Sequence, residues 1–115
     1  MFDFQKLLVY QKAKDFHSSN RELIKTHNVD SIAKNQLSRA SLSIPLNIAE
    51  GAGKFSKPDR RNYYTTARAS LFECVAILDI LRDEQIITES VFSSSENSAD
   101  ELSRMLFAMI RNLQS

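Results

Sequence analysis

The sequence predicts an all-α protein, a four-helix up-and-down bundle built as one domain from residues 1–115. Three observations support this prediction. The 115 residues include only two glycines and two prolines, which leaves few turn formers for a sheet of many strands. Hydrophobic residues make up 43% of the chain and charged residues 25%, as in ordinary globular proteins. Apolar residues recur at steps of three and four along four separate segments.

The first segment predicts an amphipathic helix from about Phe4 to His27. Its apolar positions recur at three- and four-residue steps, and only Asn20 interrupts them. The residues that follow predict a short connection, with Asp30 or Ser31 as the N-cap of the second helix.

The second predicted helix is apolar on two sides. One apolar line, at spacings of three or four, consists of Ala33, Leu37, Ala40, Ile44, Ile48 and Gly51. A second line on another side contains Leu42, Leu46 and Ala49. A helix that is apolar on two sides needs neighbours on two sides. In a chain this short, we expect the second neighbour to be another subunit.

Proline and glycine shape this second helix. Pro45 lies inside it and removes the hydrogen bond to the carbonyl of Ser41, so we predict a kink at Pro45. The stretch Gly51-Ala52-Gly53 predicts the end of the helix, because glycine readily takes the left-handed cap conformation.

The remaining segments predict two further helices. Ser56 and Asp59 have the spacing of a capping box at the start of the third helix. Apolar residues of this helix extend beyond one face, which again implies burial on more than one side. Thr88 predicts the N-cap of a fourth helix that runs to about Gln114. Because serine is a weak helix former, a break within residues 93–98 is left open.

The sequence offers no constellation of residues for catalysis or metal binding. His17 and His27 are ten residues apart, which separates them by roughly 80° around a helix, and no H-x-x-x-H or C-x-x-C spacing occurs. Cys74 lies on an apolar helix face, so we expect a buried, inert thiol. Neither histidine is near Ser41 or Ser43 in the sequence, although proximity in space stays open. We therefore expect no enzyme, no catalytic residue, no cofactor and no small-molecule substrate.

Charge is distributed unevenly along the chain. Residues 1–62 carry 11 Lys and Arg against 6 Asp and Glu, whereas residues 63–115 carry 4 against 8. This asymmetry indicates either an anion-binding end or attraction between opposite ends of neighbouring helices.

One basic stretch is the candidate nucleic-acid site. It contains Lys54, Lys57, Arg60 and Arg61, with Phe55, Tyr63 and Tyr64 close by and Tyr63 as the aromatic candidate of the site. Cations neutralise phosphates, and an exposed aromatic ring stacks on a base. Oligomerisation would repeat such a patch around a ring. The alternative is an ordinary charged loop and helix start.

A polar line on the second helix is the other candidate site. It consists of Arg39, Ser43, Asn47 and Glu50 at steps of four, four and three. These side chains can pair with neighbouring helices, with Arg39 meeting Glu73, and so fix the register between subunits. The alternative is a ligand site that faces another subunit or a central channel. Together with Leu42 and Leu46, these residues are the candidates for an oligomer interface.

The sequence also bears on location. No segment approaches the ~18 consecutive apolar residues that a membrane span requires. The first residues show no basic stretch followed by an apolar run, so we expect no signal peptide. A single cysteine agrees with a reducing compartment. We therefore expect a cytoplasmic protein without a membrane partner.

Four stretches of the chain carry a family resemblance. They are Leu8–Ala13, Gln36–Gly51, Ala67–Glu73 and Arg104–Leu106. Together they resemble the 23S rRNA-intervening sequence protein family, which is also called the four helix bundle protein family. The central stretch is long and specific, and the resemblance spans nearly the whole chain.

The resemblance implies a four-helix up-and-down bundle that forms ring-like homo-oligomers, with pentamers known among relatives. Some relatives are accessory proteins of diversity-generating retroelements that bind a reverse transcriptase and nucleic acid; others are encoded inside large-subunit ribosomal RNA genes and have no settled activity. Our first hypothesis is therefore an oligomeric, non-catalytic accessory protein that binds RNA or DNA. The second is a scaffold that docks a protein partner, such as a reverse transcriptase, without binding nucleic acid.

Overall fold

The computed structural model describes residues 1–114, and this part of the chain contains helices and no strand. A short 3-10 helix comes first and spans Asp3–Lys6. The four α-helices are α1 (Leu8–Thr26), α2 (Ser31–Ala52), α3 (Lys57–Asp83) and α4 (Glu89–Asn112). The all-α class predicted from the sequence is confirmed.

The helices pack in chain order: α1 against α2, α2 against α3, α3 against α4, and α4 back against α1. Short connections make consecutive helices antiparallel. The centre of the core consists of Leu37, Ile44, Ile48, Leu71, Leu78, Leu81, Leu102 and Leu106, all of them almost fully buried. The four-helix up-and-down bundle is therefore confirmed.

The start of the chain differs from the prediction of one helix from Phe4 to His27. Leu7 has extended backbone angles (φ −70°, ψ 128°) and separates the 3-10 helix from α1. The ring of Phe4 packs edge-on against Tyr10, with ring centroids 5.0 Å apart. The 3-10 helix thus folds beside the first turns of α1 instead of extending it.

The two ends of α2 lie where the sequence predicts them. Asp30 is the N-cap, and its Oδ1 accepts a hydrogen bond of 2.9 Å from the N–H of Ala33. The prediction of a left-handed glycine is wrong, because Gly53 has a φ of −86° and lies in the right-handed region. The helix continues across Pro45 without interruption.

Gly51 serves a different purpose, which is close packing. A Cβ atom at Gly51 would stand 2.7 Å from Cε1 of Tyr64 and 2.9 Å from Cβ of Tyr63. Real Cβ atoms do not approach carbon so closely. The missing side chain therefore lets α3 approach the end of α2.

The caps of α3 and α4 confirm the predicted starts. Oγ of Ser56 accepts from the N–H of Asp59 at 3.2 Å, and Oγ1 of Thr88 accepts from the N–H of Val91 at 3.1 Å. Helix α4 runs through residues 93–98 without a break. Its buried residues Phe92 and Ala99 lie on either side of the serine-rich stretch, so packing outweighs the weak helix propensity of serine there.

The two apolar lines of α2 have different surroundings. Leu37, Ile44 and Ile48 on the first line are completely buried in the core. On the second line, Leu42 and Leu46 remain 42% and 51% exposed. Within the residues that the structure describes, no helix combines the length and apolar character needed to cross a membrane.

Candidate nucleic-acid interface

The basic stretch lies at one end of the bundle, where α2 ends and α3 begins. Phe55 occupies the tip of the connecting loop and is 100% exposed. Lys57 on one side of it is also exposed, and Lys54 on the other is half-buried. An aromatic ring that is fully in solvent between two cations is suited to stacking on a base while the cations contact phosphates.

The two arginines of the stretch hold the surrounding structure together. Nε of Arg60 donates to the carbonyl oxygen of Lys54 at 2.6 Å, and Nη1 of Arg61 donates to the carbonyl oxygen of Leu113 at 3.2 Å. Both side chains are half-buried. Arg60 therefore fixes the loop after α2, and Arg61 caps the end of α4, while each guanidinium keeps further N–H groups for other contacts.

The side chain of Tyr63 also contacts this loop. The Nζ atom of Lys54 lies 5.1 Å from the centroid of the Tyr63 ring, which is a cation–π distance. The side chain of Tyr63 is half-buried. Phe55 is therefore better placed for base stacking than Tyr63, the aromatic candidate that the sequence predicts.

A second aromatic feature at this end was not found from the sequence. The 3-10 helix and the junction of α2 and α3 enclose a pocket of about 380 Å³. Phe2, Phe4, Arg60 and Tyr64 contribute to its walls. The rings of Phe2 and Phe4 stack at 5.9 Å between centroids, and burial raises the pKa of Tyr64 although Arg60 opposes that shift. Only the folding back of the first residues brings these groups together.

The polar line of α2 has half-buried residues in its middle and exposed residues at its ends. Ser43 Oγ lies 2.9 Å from Ser70 Oγ on α3, and the Nδ2 group of Asn47 donates to the carbonyl oxygen of Ser43 at 2.8 Å. The contact of Ser43 with Ser70 joins α2 to α3, whereas the hydrogen bond from Asn47 lies within α2. Arg39 and Glu50 at its ends are exposed.

The predicted contact of Arg39 with Glu73 is not formed within the chain. Both side chains are exposed, and neither takes part in the ion pairs among residues 1–114. The two residues belong to adjacent helices, but each points to solvent, where an ion pair contributes little. Their role between subunits stays a prediction.

The structure brings His17 and Ser41 together, a proximity that the sequence leaves open. Nδ1 of His17 lies 2.7 Å from Oγ of Ser41, and this contact joins α1 to α2. Burial and, to a lesser degree, the charge of Arg21 lower the pKa of His17, which favours the neutral ring. Ser41 is completely buried, so a substrate has no path to its hydroxyl group in this conformation. The pair therefore links two helices and does not form a nucleophilic site.

Cys74 confirms the prediction of a buried thiol. Its side chain is completely inaccessible, and burial, reinforced by the charge of Glu73, raises the pKa of the thiol to about 12. The thiol is consequently protonated at neutral pH and is a poor nucleophile or metal ligand. Within residues 1–114, no three His, Cys, Asp or Glu side chains lie close enough together to hold a metal ion.

Fold and site together define a small helical bundle protein with a basic end and an exposed aromatic side chain. The family model described as 23S rRNA-intervening sequence protein matches residues 5–108. The chain belongs to this family, which confirms the resemblance seen in its four sequence stretches.

A solved structure supports the fold independently. The chain is similar to a protein of unknown function from the S23 ribosomal protein family of Bacteroides thetaiotaomicron, with a TM-score of 0.83. The two share 23% sequence identity, and the match covers 90% of this chain and 98% of that one. At this identity the likeness concerns the fold alone. No curated protein matches the chain.

Proposed function

We propose that this protein works in the cytoplasm as a non-enzymatic homo-oligomer that binds RNA or DNA through the basic end of the bundle. The observation that carries the proposal is the complete exposure of Phe55 next to Lys57 and Lys54. A fully exposed aromatic ring costs solvation free energy that a purely structural loop could avoid with a polar residue. A base that stacks on the ring would cover that surface.

The hydrogen bonds of the arginines support the same proposal. Because Arg60 holds the carbonyl of Lys54, the loop that carries Phe55 keeps a defined shape before a ligand arrives. A preorganised loop loses less conformational entropy on binding. A single basic end binds weakly, but several copies in one oligomer multiply the contacts and give avidity.

The test is a binding titration with single- and double-stranded RNA and DNA oligonucleotides at several salt concentrations. The wild-type chain should bind single strands more tightly than duplexes, because unpaired bases are free to stack. Affinity should fall as salt rises, since bound phosphates release counterions. Phe55→Ala should weaken binding by roughly 5- to 150-fold, from the ~1–3 kcal/mol that one stacked base contributes.

Matched variants separate charge at this end from charge elsewhere. Lys57→Glu removes an exposed cation at the basic end, whereas Lys34→Glu makes the same change at the start of α2, at the opposite end of the bundle. Only Lys57→Glu should reduce affinity strongly. Equal effects of the two variants, or no binding by the wild type at low salt, would remove the proposal. Arg60 and Arg61 are unsuitable here, because their substitution also breaks structural hydrogen bonds.

A scaffold that docks a protein partner, such as a reverse transcriptase, is the second candidate. Exposed apolar side chains on two helices favour it, since Leu46 on α2 is 51% exposed and Ile80 on α3 is 55% exposed. Apolar surface of this kind is typical of protein contacts. A pull-down that retains one protein partner after nuclease treatment, together with no nucleic-acid binding at low salt, would favour the scaffold over the first proposal.

A further inference from the structure

A line of exposed side chains runs along the outer side of α2. Arg39, Leu42, Leu46 and Glu50 follow one another at steps of three, four and four, which places them on one side of the helix. All four are exposed. Within residues 1–114, neither Arg39 nor Glu50 forms an ion pair. We name this line the α2 ridge; two leucines form its middle, with a cation before them and an anion after them.

A groove of about 510 Å³ lies between α3 and α4. Leu71 and Val75 from α3 and Phe92 and Ala99 from α4 give it an apolar lining. Phe72 also lines it and is 53% exposed. We name it the α3–α4 groove. It shares no residue with the α2 ridge, so one copy can present both surfaces to two different neighbours.

The groove is negatively charged along much of its length. The acidic residues in its lining are Asp79, Glu96 and Asp100. Residues 72–104 contain eight Asp and Glu but only two Arg. Asp79 and Asp100 have arginine partners, whereas Glu96 forms no ion pair within residues 1–114. The groove therefore complements an apolar surface that carries a cation.

A positive charge, Arg68, lies on α3 beyond the end of the groove that is opposite Asp79. The guanidinium of Arg68 lies 4.7 Å from the ring centroid of Phe72 and 5.6 Å from that of Phe107. Its Nε is buried and has no hydrogen-bond partner within residues 1–114. Along α3, the order is thus a cation at Arg68, the apolar lining, and an anion at Asp79.

The α2 ridge has the same arrangement at the same length. Glu50 follows Arg39 by eleven positions, and Asp79 follows Arg68 by eleven, so each pair spans about 16 Å of helix. We propose that the α2 ridge of one copy packs into the α3–α4 groove of a second copy, an inference that rests on the homo-oligomer of the proposed function. In this contact Arg39 meets the acidic end of the groove and Glu50 meets Arg68.

The direction of this contact agrees with a ring. Because the charges pair only one way round, α2 of one copy runs antiparallel to α3 of the next. Inside each bundle α2 also runs antiparallel to α3. The two copies are therefore related by rotation about an axis along the bundle, without inversion. A contact between two different surfaces forms a closed ring when the rotation closes.

Mixing two defective variants of the full chain tests the proposal. Leu42→Glu with Leu46→Glu disables the ridge and leaves the groove intact. Ala76→Arg with Glu96→Arg fills the groove and repels Arg39, and both positions are exposed. By light scattering coupled to gel filtration, each variant alone should be monomeric and the wild type oligomeric. An equimolar mixture should form a heterodimer, because one intact ridge still meets one intact groove.

The other outcomes separate this inference from the oligomer itself. A mixture that stays monomeric, or a variant that assembles like the wild type, overturns the ridge-and-groove contact and leaves an oligomer built differently. A wild-type chain that is monomeric at micromolar concentration overturns both. Circular dichroism of each variant verifies that it is folded.

Single charge reversals at Arg39 and Glu96 provide a second test if one of the double variants does not fold. Arg39→Glu and Glu96→Arg should each shift assembly to higher protein concentration, by roughly fivefold or more. Both changes in one chain should restore much of the loss, since the opposite charges then face each other again. A combined variant that assembles no better than the single variants would contradict the proposal.

Discussion

The inner and outer sides of α2 contain similar residues but differ in how far these residues are buried. Leu37, Ile44 and Ile48 on the inner side have no exposed surface, while Leu42 and Leu46 on the outer side keep about half of theirs. Both sets recur at helical spacing, and leucine and isoleucine are equally apolar. The difference lies in the neighbours, because α1 and α3 cover the inner side, whereas residues 1–114 leave about half of the outer leucines uncovered.

Helical periodicity therefore reports which sides of a helix are apolar. The pattern gives the number of directions in which a helix is apolar, and hence how many sides it can bury. It does not state whether the covering partner is in the same chain. Substitutions on the two sides should therefore differ in which quantity they change, the free energy of unfolding on the inner side and assembly or binding on the outer side.

The largest contrast should come from truncating one residue on each side. Ile48→Ala leaves a cavity in the core and should lower the free energy of unfolding by about 2–5 kcal/mol. Leu46→Ala, the matched change on the outer side, should stay within about 0.5 kcal/mol. Urea unfolding at a protein concentration below that of assembly measures both. Similar losses for the two variants would show that the outer side is buried within one chain.

The two glycines at the end of α2 give a smaller contrast. Gly51→Ala should destabilise the fold by about 1–3 kcal/mol, because the new Cβ would overlap the ring of Tyr64. Gly53→Ala is the control; its Cβ would meet nothing closer than 3.5 Å, and its backbone angles suit alanine. Thermal unfolding should separate the two melting temperatures. A Gly51→Ala variant as stable as Gly53→Ala would contradict the close packing.

The pair of His17 and Ser41 should make stability depend on pH. The pKa of His17 is lowered in the folded chain, so the unfolded chain binds the proton more readily. Stability should therefore fall as the pH drops below about 6.5, the ordinary value for histidine, and level off below the folded pKa. Urea midpoints at pH 7.5 and 5.5 should show this fall in the wild type and in His27→Gln. His17→Gln should reduce it, and an equal fall in that variant would assign it to another group.

The smallest effect on stability is expected at the basic end. Phe55 is fully exposed and packs against nothing, so Phe55→Ala should change the free energy of unfolding by less than about 0.5 kcal/mol. Oligonucleotide binding should nevertheless weaken. Urea unfolding and a binding titration on the same preparation compare the two quantities. A clear loss of stability would show that the ring packs within the bundle or the oligomer.

Local features of the sequence predicted the helix boundaries well. The caps at Asp30, Ser56 and Thr88 depend on a side chain and a backbone N–H three residues later, so they can be recognised without the rest of the fold. The 3-10 helix before α1 was missed, because its position depends on contacts of Phe4 that only the folded chain provides. The left-handed conformation predicted for Gly53 is wrong, since glycine permits that conformation but does not require it.

The candidate site was predictable in position but not in detail. Lys54, Lys57, Arg60 and Arg61 are close in sequence and therefore close in space. Which of them are free depends on distant partners such as Leu113, which lies 52 residues from Arg61. The link between His17 and Ser41 spans 24 residues and has no local signature.

The reactivity of the single thiol reports how often this bundle opens. Cys74 is completely enclosed between helices and keeps its proton at neutral pH. A thiol-specific reagent can reach it only after α3 separates from its neighbours or the chain unfolds. Labelling kinetics of the unmodified protein would thus report the opening rate, and any ligand or second copy that stabilises the closed bundle should slow the reaction.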